Sequence, residues 1–225
     1  MIILHGFAAS NYYNLVKHVV LYKGLPFQEN LLYGGSDELL RISPVGKVPV
    51  ITTSEGIHLS ESSVICDFIE EHYPATPLYP EEVVDRALVR QIMKIAELYF
   101  ELPSRRLIPY AFSGSAVPER VATEVRQVLN RGITALSRLC QFSPWVAGKQ
   151  LTMADIYLYH VNTIVSAFGT SQLDWDVIAA VPRMKEWNAT MSQSAIAQIV
   201  EADRKENMPE FMQKVTAQIK VANVK

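Results

Sequence analysis

Every strand signal in this 225-residue chain lies before residue 61. So short a stretch holds only a small sheet, because strands usually run five or six residues. Most of the molecule must therefore be helical. That contrast divides the chain into residues 1–78, where strand and helix patterns alternate, and residues 79–225, where only helical patterns occur. Between them YPATPLYP, residues 73–80, carries three prolines and reads as a linker.

The first part resolves into short elements. Ile2 to His5 is an apolar strand. Residues 12–23 set Leu15, Val16, Val19, Val20 and Tyr22 at helical spacing, and Gly24 with Pro26 stops that helix. Gln28 to Tyr33 reads as a second strand and Ser36 to Ile42 as a short helix. Val48–Thr52 and Ile57–Leu59 form a hairpin around Ser54-Glu55-Gly56. Residues 61–72 return to a helix with Val64, Ile65, Phe68 and Ile69 on one face, and Ser60 is its expected N-cap. The order β-α-β-α-β-β-α predicts a small sheet covered by helices.

Beyond the linker, Leu88, Ile92, Ile95, Tyr99 and Leu102 form a stripe that predicts a helix over 81–102. Pro103 and Pro109 should kink or interrupt its continuation. A second amphipathic helix covers 118–141, with proline in its first turn. In QLTMADIYLYHVNTIV, Thr152 and Asp155 form a capping box, with Leu151 and Ile156 as its hydrophobic staple. The run that follows is apolar almost all round, so this helix should be the buried centre of the second part, with His160 as a hydrogen-bonded core histidine. Helix is expected to about Glu201, then a polar tail.

Composition removes several function classes. A net charge of −2 gives no reason to expect nucleic acid. The two cysteines, Cys66 and Cys140, make neither a disulfide framework nor a zinc motif, and both sit in helical apolar patterns as small buried hydrophobes. MIILHGF lacks the basic and apolar regions of a signal peptide. No apolar run approaches the ~18 residues of a membrane span. The chain reads as soluble and cytoplasmic, with no membrane partner and no metal.

Proline at position 49 is the local anomaly. Val48 and Val50 flank it in a strand pattern, yet proline cannot donate to a ladder. Twelve residues later Glu61 and Ser62 open a helix. Together with the opening strand and helix around Ser10 and VKHVVLYKGLPF, the segment SPVGKVPV, the helix ESSVICDFIEEHYP and the box LTMADIYLY resemble the glutathione transferase superfamily. The matching stretch runs over about residues 1–168. The resemblance implies an α/β thioredoxin-like N-terminal domain, residues 1–78, followed by an all-α C-terminal domain, residues 79–225, paired as a homodimer.

It also implies a site. The Val48–Pro49 bond would be cis, and the Val48 backbone would pair with the cysteinyl backbone of bound glutathione as one strand pairs with another. Glu61 and Ser62, at a helix N-terminus, would hold the γ-glutamyl end, and Lys47 would meet the glycyl carboxylate. No cysteine precedes Cys66, which disfavours the classes that use an active-site Cys. In the serine-using theta and zeta classes the activating Ser follows the first strand, fourteen residues before the glycine that ends helix 1. Ser10 and Gly24 have that spacing. Asn11 and Tyr12 stay open as alternative activators.

The electrophile pocket would draw on Phe7, Ala8, Tyr99, Leu102, Arg106 and Tyr110, for each aromatic of which core packing is an equal reading. The implied activity is conjugation of glutathione, as co-substrate, to a small hydrophobic electrophile, a chemistry of detoxification. The alternatives are a non-catalytic or regulatory binding protein on the same scaffold, or a glutathione-dependent isomerase.

Overall fold

The structure, a computed structural model, describes residues 1–222. The chain divides into two compact units: Met1–Leu78 with Ser194–Phe211, and Tyr79–Gln193 with the residues from Met212 onward.

In the first unit the order is β1 (Ile2–Gly6), α1 (Asn11–Tyr22), β2 (Phe27–Leu31), α2 (Asp37–Ile42), β3 (Val50–Thr52), β4 (His58–Ser60) and α3 (Ser62–His72). The sheet runs β2-β1-β3-β4. β1 and β2 are parallel, and the β1–β3 and β3–β4 pairs are antiparallel. This is the small mixed sheet of a thioredoxin-like domain. α1 and α3 pack together, and Leu4, Leu15, Val16, Val19, Ile51, Ile65 and Ile69 are buried completely. Leu39 of α2 meets Val50 and Leu32 in a separate cluster, joined by Ile42 and Val48.

One polar row crosses all four strands. Asn30 Nδ2 donates to His5 Nδ1 (3.0 Å), His5 Nε2 meets Thr52 Oγ1 (2.7 Å), and Thr52 Oγ1 meets His58 Nδ1 (2.9 Å). The amide donor at Nδ1 requires the proton on Nε2, so His5 donates to Thr52, which keeps a hydroxyl hydrogen to offer His58. Neutral His5 suits this row. Burial, with His58 nearby, holds its pKa below the ordinary value against a smaller opposing pull from Glu38.

The proline-rich segment after α3 is pinned rather than loose. Lys23 Nζ forms an ion pair with Glu70 (2.6 Å) and donates to the carbonyls of Tyr73 (3.0 Å) and Thr76 (2.8 Å). Glu70 in turn accepts the N–H of Leu78 (2.8 Å), whose side chain is buried.

The second unit holds α4 (Val83–Ala96), a π-helical turn (Glu97–Glu101), α5 (Leu102–Arg105), α6 (Ile108–Ser113), α7 (Glu119–Leu139), α8 (Met153–Leu173) and α9 (Met184–Ser192). The helix expected over 81–102 is thus α4 plus the wider turn. Pro103 does not interrupt the path. The extra residue per turn makes room for a ring that would otherwise press on the carbonyl of Tyr99. Gly132 of α7 lies against this turn, where an added Cβ would come within 2.5 Å of Phe100. Pro118 stands just outside α7, as its N-cap.

α8 is the buried helix expected, and its start is held by one carboxylate. Asp155 accepts the Thr152 N–H (2.8 Å) and hydroxyl (3.0 Å), the Val146 N–H (2.8 Å) and the Trp187 Nε1–H (2.9 Å). His160 is buried in it, edge-on to Tyr159. Among the described residues no helix is long and apolar enough to cross a membrane.

The C-terminus departs from expectation. Instead of a tail after Glu201, α10 runs over Ala195–Ala222 and continues through Pro209. Its stretch up to Phe211 belongs to the first unit, where Asp203, Asn207 and Phe211 make contacts that no apolar periodicity announces.

Candidate active site

Strand register decides which loops meet. His5 stands opposite Val50, and Val50 opposite Ser60. The exit of β1, the entry of β3 and the exit of β4 therefore share one end of the sheet. Ser10 follows β1, Val48 and Pro49 precede β3, and Glu61 and Ser62 follow β4, so these five residues gather there. Lys47 comes next along the chain. Its side chain is exposed, while its N–H (3.2 Å) and C=O (2.9 Å) both bond the Ser43 hydroxyl.

The Val48–Pro49 peptide is cis, and Pro49 is buried. Val48 sits against Gly6, where an added Cβ would come within 3.2 Å of the Val48 Cβ and 2.5 Å of the Tyr13 ring. A side chain at position 6 would therefore push apart the β1 exit, α1 and the segment before β3.

α3 begins one residue later than expected. Glu61, not Ser60, is the N-cap, and it holds φ +68° and ψ 112° without a side-chain capping bond. That backbone region is costly for any residue with a Cβ. Ser62 is the first helical residue and is buried. The first bond back to the cap is Ile65 N–H to Glu61 C=O (2.9 Å), so the N–H groups of Ser62, Ser63 and Val64 lack intrahelical acceptors. They carry the positive end of the helix.

Ser10 caps α1. Its Oγ accepts the Tyr13 N–H (3.4 Å), and its backbone is extended, φ −84° and ψ 119°. Capping occupies an oxygen lone pair and leaves the hydroxyl hydrogen as a donor. Asn11 is buried and Tyr12 half-buried in the first turn, and both take part in other interactions.

Sequence reasoning missed a charged cluster beside this loop. Tyr13 donates to Glu29, Lys17 Nζ bonds both Glu29 oxygens (2.7 and 2.8 Å), and Lys17 also pairs with Asp203 (2.7 Å). Burial and then the Glu29 carboxylate drive the Tyr13 pKa well above the ordinary phenol value, so Tyr13 stays protonated. Gly6, Phe7 and Ala8 line the adjoining cavity of about 420 Å³ with residues of this cluster and of α10. The one available signal was Lys17, a charge on the apolar face set by Val16, Val19 and Val20.

The cysteines offer no competing nucleophile. Cys66 is buried and its thiol pushed up by burial, and burial pushes Cys140 up to about 12. Among the described residues no group of three or more His, Cys, Asp or Glu could hold a metal.

The expected electrophile residues fall in both units. In the first, Phe7 stacks on Tyr33 (4.7 Å) and Phe211 (5.3 Å), and Ala8 lines the cavity above. In the second, Tyr99 and Leu102 are exposed, Tyr110 is half-buried, and Arg106 is paired with Glu124 (2.7 Å).

Two family models match the chain: the glutathione S-transferase N-terminal domain over residues 4–77 and the C-terminal domain over residues 92–195. A glutathione S-transferase of Pseudomonas putida is 40% identical over 216 residues, which is 96% of this chain and 98% of that one. The chain belongs to the glutathione S-transferase family. A zeta-class glutathione S-transferase of Euphorbia esula is 28% identical over 69% of this chain and 72% of its own. In fold, this glutathione S-transferase is similar to the crystal structure of one from Rhodospirillum rubrum, with a TM-score of 0.73 at 24% identity over 89% and 91% of the two chains.

Proposed function

We propose that this transferase binds glutathione at the convergent end of its sheet and activates the thiol through Ser10. The observation that carries this reading is the meeting, at that end, of a cis Val48–Pro49 bond, an α3 N-terminus with unused N–H groups and a capping serine with a hydrogen to give. The Val48 N–H and C=O pair with the cysteinyl backbone of the tripeptide. Ser62 and the first turn of α3 hold the γ-glutamyl carboxylate, and Glu61 faces the α-ammonium. Lys47 meets the glycyl carboxylate.

A thiol of ordinary pKa, about 8.5, is mostly protonated at neutral pH. A serine hydroxyl is too weak an acid to serve as a base, but it donates to the sulfur anion. A hydrogen bond to a charged group contributes about 1.5–3 kcal/mol, which lowers the thiol pKa by about one to two units. The positive end of α1 adds to this. The thiolate then attacks a small hydrophobic electrophile by substitution or addition, with most of the rate from thiolate population and proximity.

The protein is proposed to work as a cytoplasmic homodimer in detoxification. An exposed groove of about 430 Å³ on the second unit, lined by Ile95, Leu98 and Tyr99 between Lys94 and Arg131, offers a surface for a second copy. Sedimentation at micromolar concentration checks this.

Titration calorimetry with reduced glutathione, followed by turnover of a chloronitroarene, tests the reading. Binding with turnover is expected. Binding without turnover on any of several electrophiles would replace it with a binding module, and turnover confined to cis–trans isomerisation of a conjugated acid would replace it with an isomerase. No measurable affinity for glutathione would sink the site itself.

A further inference from the structure

We infer that Asn207 of α10 is a positioning residue for the thiol site, acting through the loop that carries Ser10. The inference rests on the reading that Ser10 meets the sulfur. Its geometry lies wholly within the first unit.

The loop between β1 and α1 is only Phe7, Ala8, Ala9 and the cap Ser10, and each is tied down. Ser10 N–H bonds the Phe7 carbonyl (3.0 Å), and Asn14 Nδ2 bonds the Ala8 carbonyl (2.8 Å). These ties are local, one within the loop and one from the first turn of α1. The Ala9 N–H instead bonds Asn207 Oδ1 (2.9 Å), from a residue 198 positions away. Asn207 Nδ2 then donates to the Tyr33 hydroxyl (2.8 Å). The Phe7 ring lies in a stack with Tyr33 and Phe211, at 4.7 and 5.3 Å.

An amide side chain suits this place because its acceptor and donor sit at a fixed separation. It joins the residue before Ser10 to the ring that packs on Phe7, so two loop residues are set by one rigid group. Only the φ and ψ of Ala9 separate the held Ala9 N–H from the Ser10 amide. Without Asn207 the loop keeps only those local ties, so the Ala8–Ala9 peptide is freer to turn and the Ser10 hydroxyl to shift with it. A displacement of about 1 Å is enough to break a hydrogen bond to sulfur and to cost rate steeply. Asn207 touches neither sulfur nor electrophile in this account. It fixes where the donor stands.

A merely structural role would lower activity evenly at every pH. Loss of a positioning group instead raises the pKa of the bound thiol, so the loss of activity is largest at low pH and closes at high pH. The test is the pH profile of kcat/KM for the electrophile at saturating glutathione, read with the ultraviolet absorbance of the bound thiolate, for wild type, N207A, S10A and the double variant. For N207A the midpoint should rise by about one unit, with about a three- to eightfold loss near pH 7 that approaches about tenfold at lower pH, and KM for glutathione within about twofold. The double variant should be no slower than S10A, because removing the positioner of an absent group costs nothing further.

Tyr33→Phe keeps the stack but removes the acceptor for Asn207 Nδ2. It should shift the midpoint the same way by a smaller amount, and it carries the test if N207A does not fold. A pH-independent loss in N207A, or losses that multiply in the double variant, would overturn the inference. An S10A profile identical to wild type would overturn the Ser10 reading instead, and this inference with it.

Discussion

Ser10 does two jobs that a substitution can separate. Its oxygen caps α1 and, in the proposed mechanism, its hydrogen meets the thiolate. Alanine removes both and should cost about 1 kcal/mol of stability, whereas glycine is tolerated at an N-cap for a few tenths. Ser10→Ala and Ser10→Gly should therefore differ in melting temperature yet lose kcat/KM alike, by about eight- to twenty-fivefold near pH 7. Equal turnover in either variant and wild type would remove Ser10 from the chemistry. Glu61 presents the opposite trade. Its φ of +68° strains any residue with a Cβ by about 1–3 kcal/mol. Glu61→Gly relieves that strain at the expense of unfolded-chain entropy, so unfolding in urea should show equal or greater stability. Glutathione affinity should still fall about tenfold or more, since in the proposed site the Glu61 carboxylate faces the α-ammonium. A strained residue kept where glycine would fit is what a binding role predicts.

At the scale of elements, the start of α8 depends on a single carboxylate. Asp155 satisfies the N–H of Val146 and Thr152, the Thr152 hydroxyl and the Trp187 indole. Burial pushes its pKa up, and these four donors oppose that. Asp155→Ala strands several buried donors at once, at about 1–3 kcal/mol each, so a loss of about 4 kcal/mol or more is expected in chemical denaturation. Asp155→Asn keeps acceptance at one oxygen only and should fall between. This helix start was legible because a capping box is a local pattern: Thr152 and Asp155 lie three residues apart and the apolar run follows at once. The first-unit elements were legible for the same reason, to within a residue or two. α10 was not. Its residues after Glu201 are mostly polar, and their positions are set by Lys17, Ala9 and Phe7 nearly two hundred residues earlier. The π-helical turn was likewise invisible, because it answers to Pro103 and to the close approach of Gly132 rather than to any spacing of apolar residues.

For the whole molecule, the site was readable from sequence to the extent that strand order follows from it. Once β1, β3 and β4 are adjacent, Ser10, Val48-Pro49 and Glu61-Ser62 must share an end of the sheet. The buried polar groups around them could not be read, because their charge states depend on depth. His18, on the buried face of α1, shows the consequence. Burial lowers its pKa from the ordinary 6.5 to about 4. His5, in the row that crosses the sheet, is lowered in the same direction. Both groups bind protons more readily unfolded than folded, so the unfolded state gains as pH falls. Their contribution to stability is complete above about pH 6.5 and is lost progressively below it. For His18 alone the loss reaches about 3 kcal/mol at about pH 4. Urea unfolding at a series of pH values should show stability falling through this range, before most carboxylates titrate. His18→Gln carries no titrating ring, and its profile should be flatter over the same window by that amount. A variant profile parallel to wild type would mean that His18 takes up its proton at the same pH in the folded and unfolded chains.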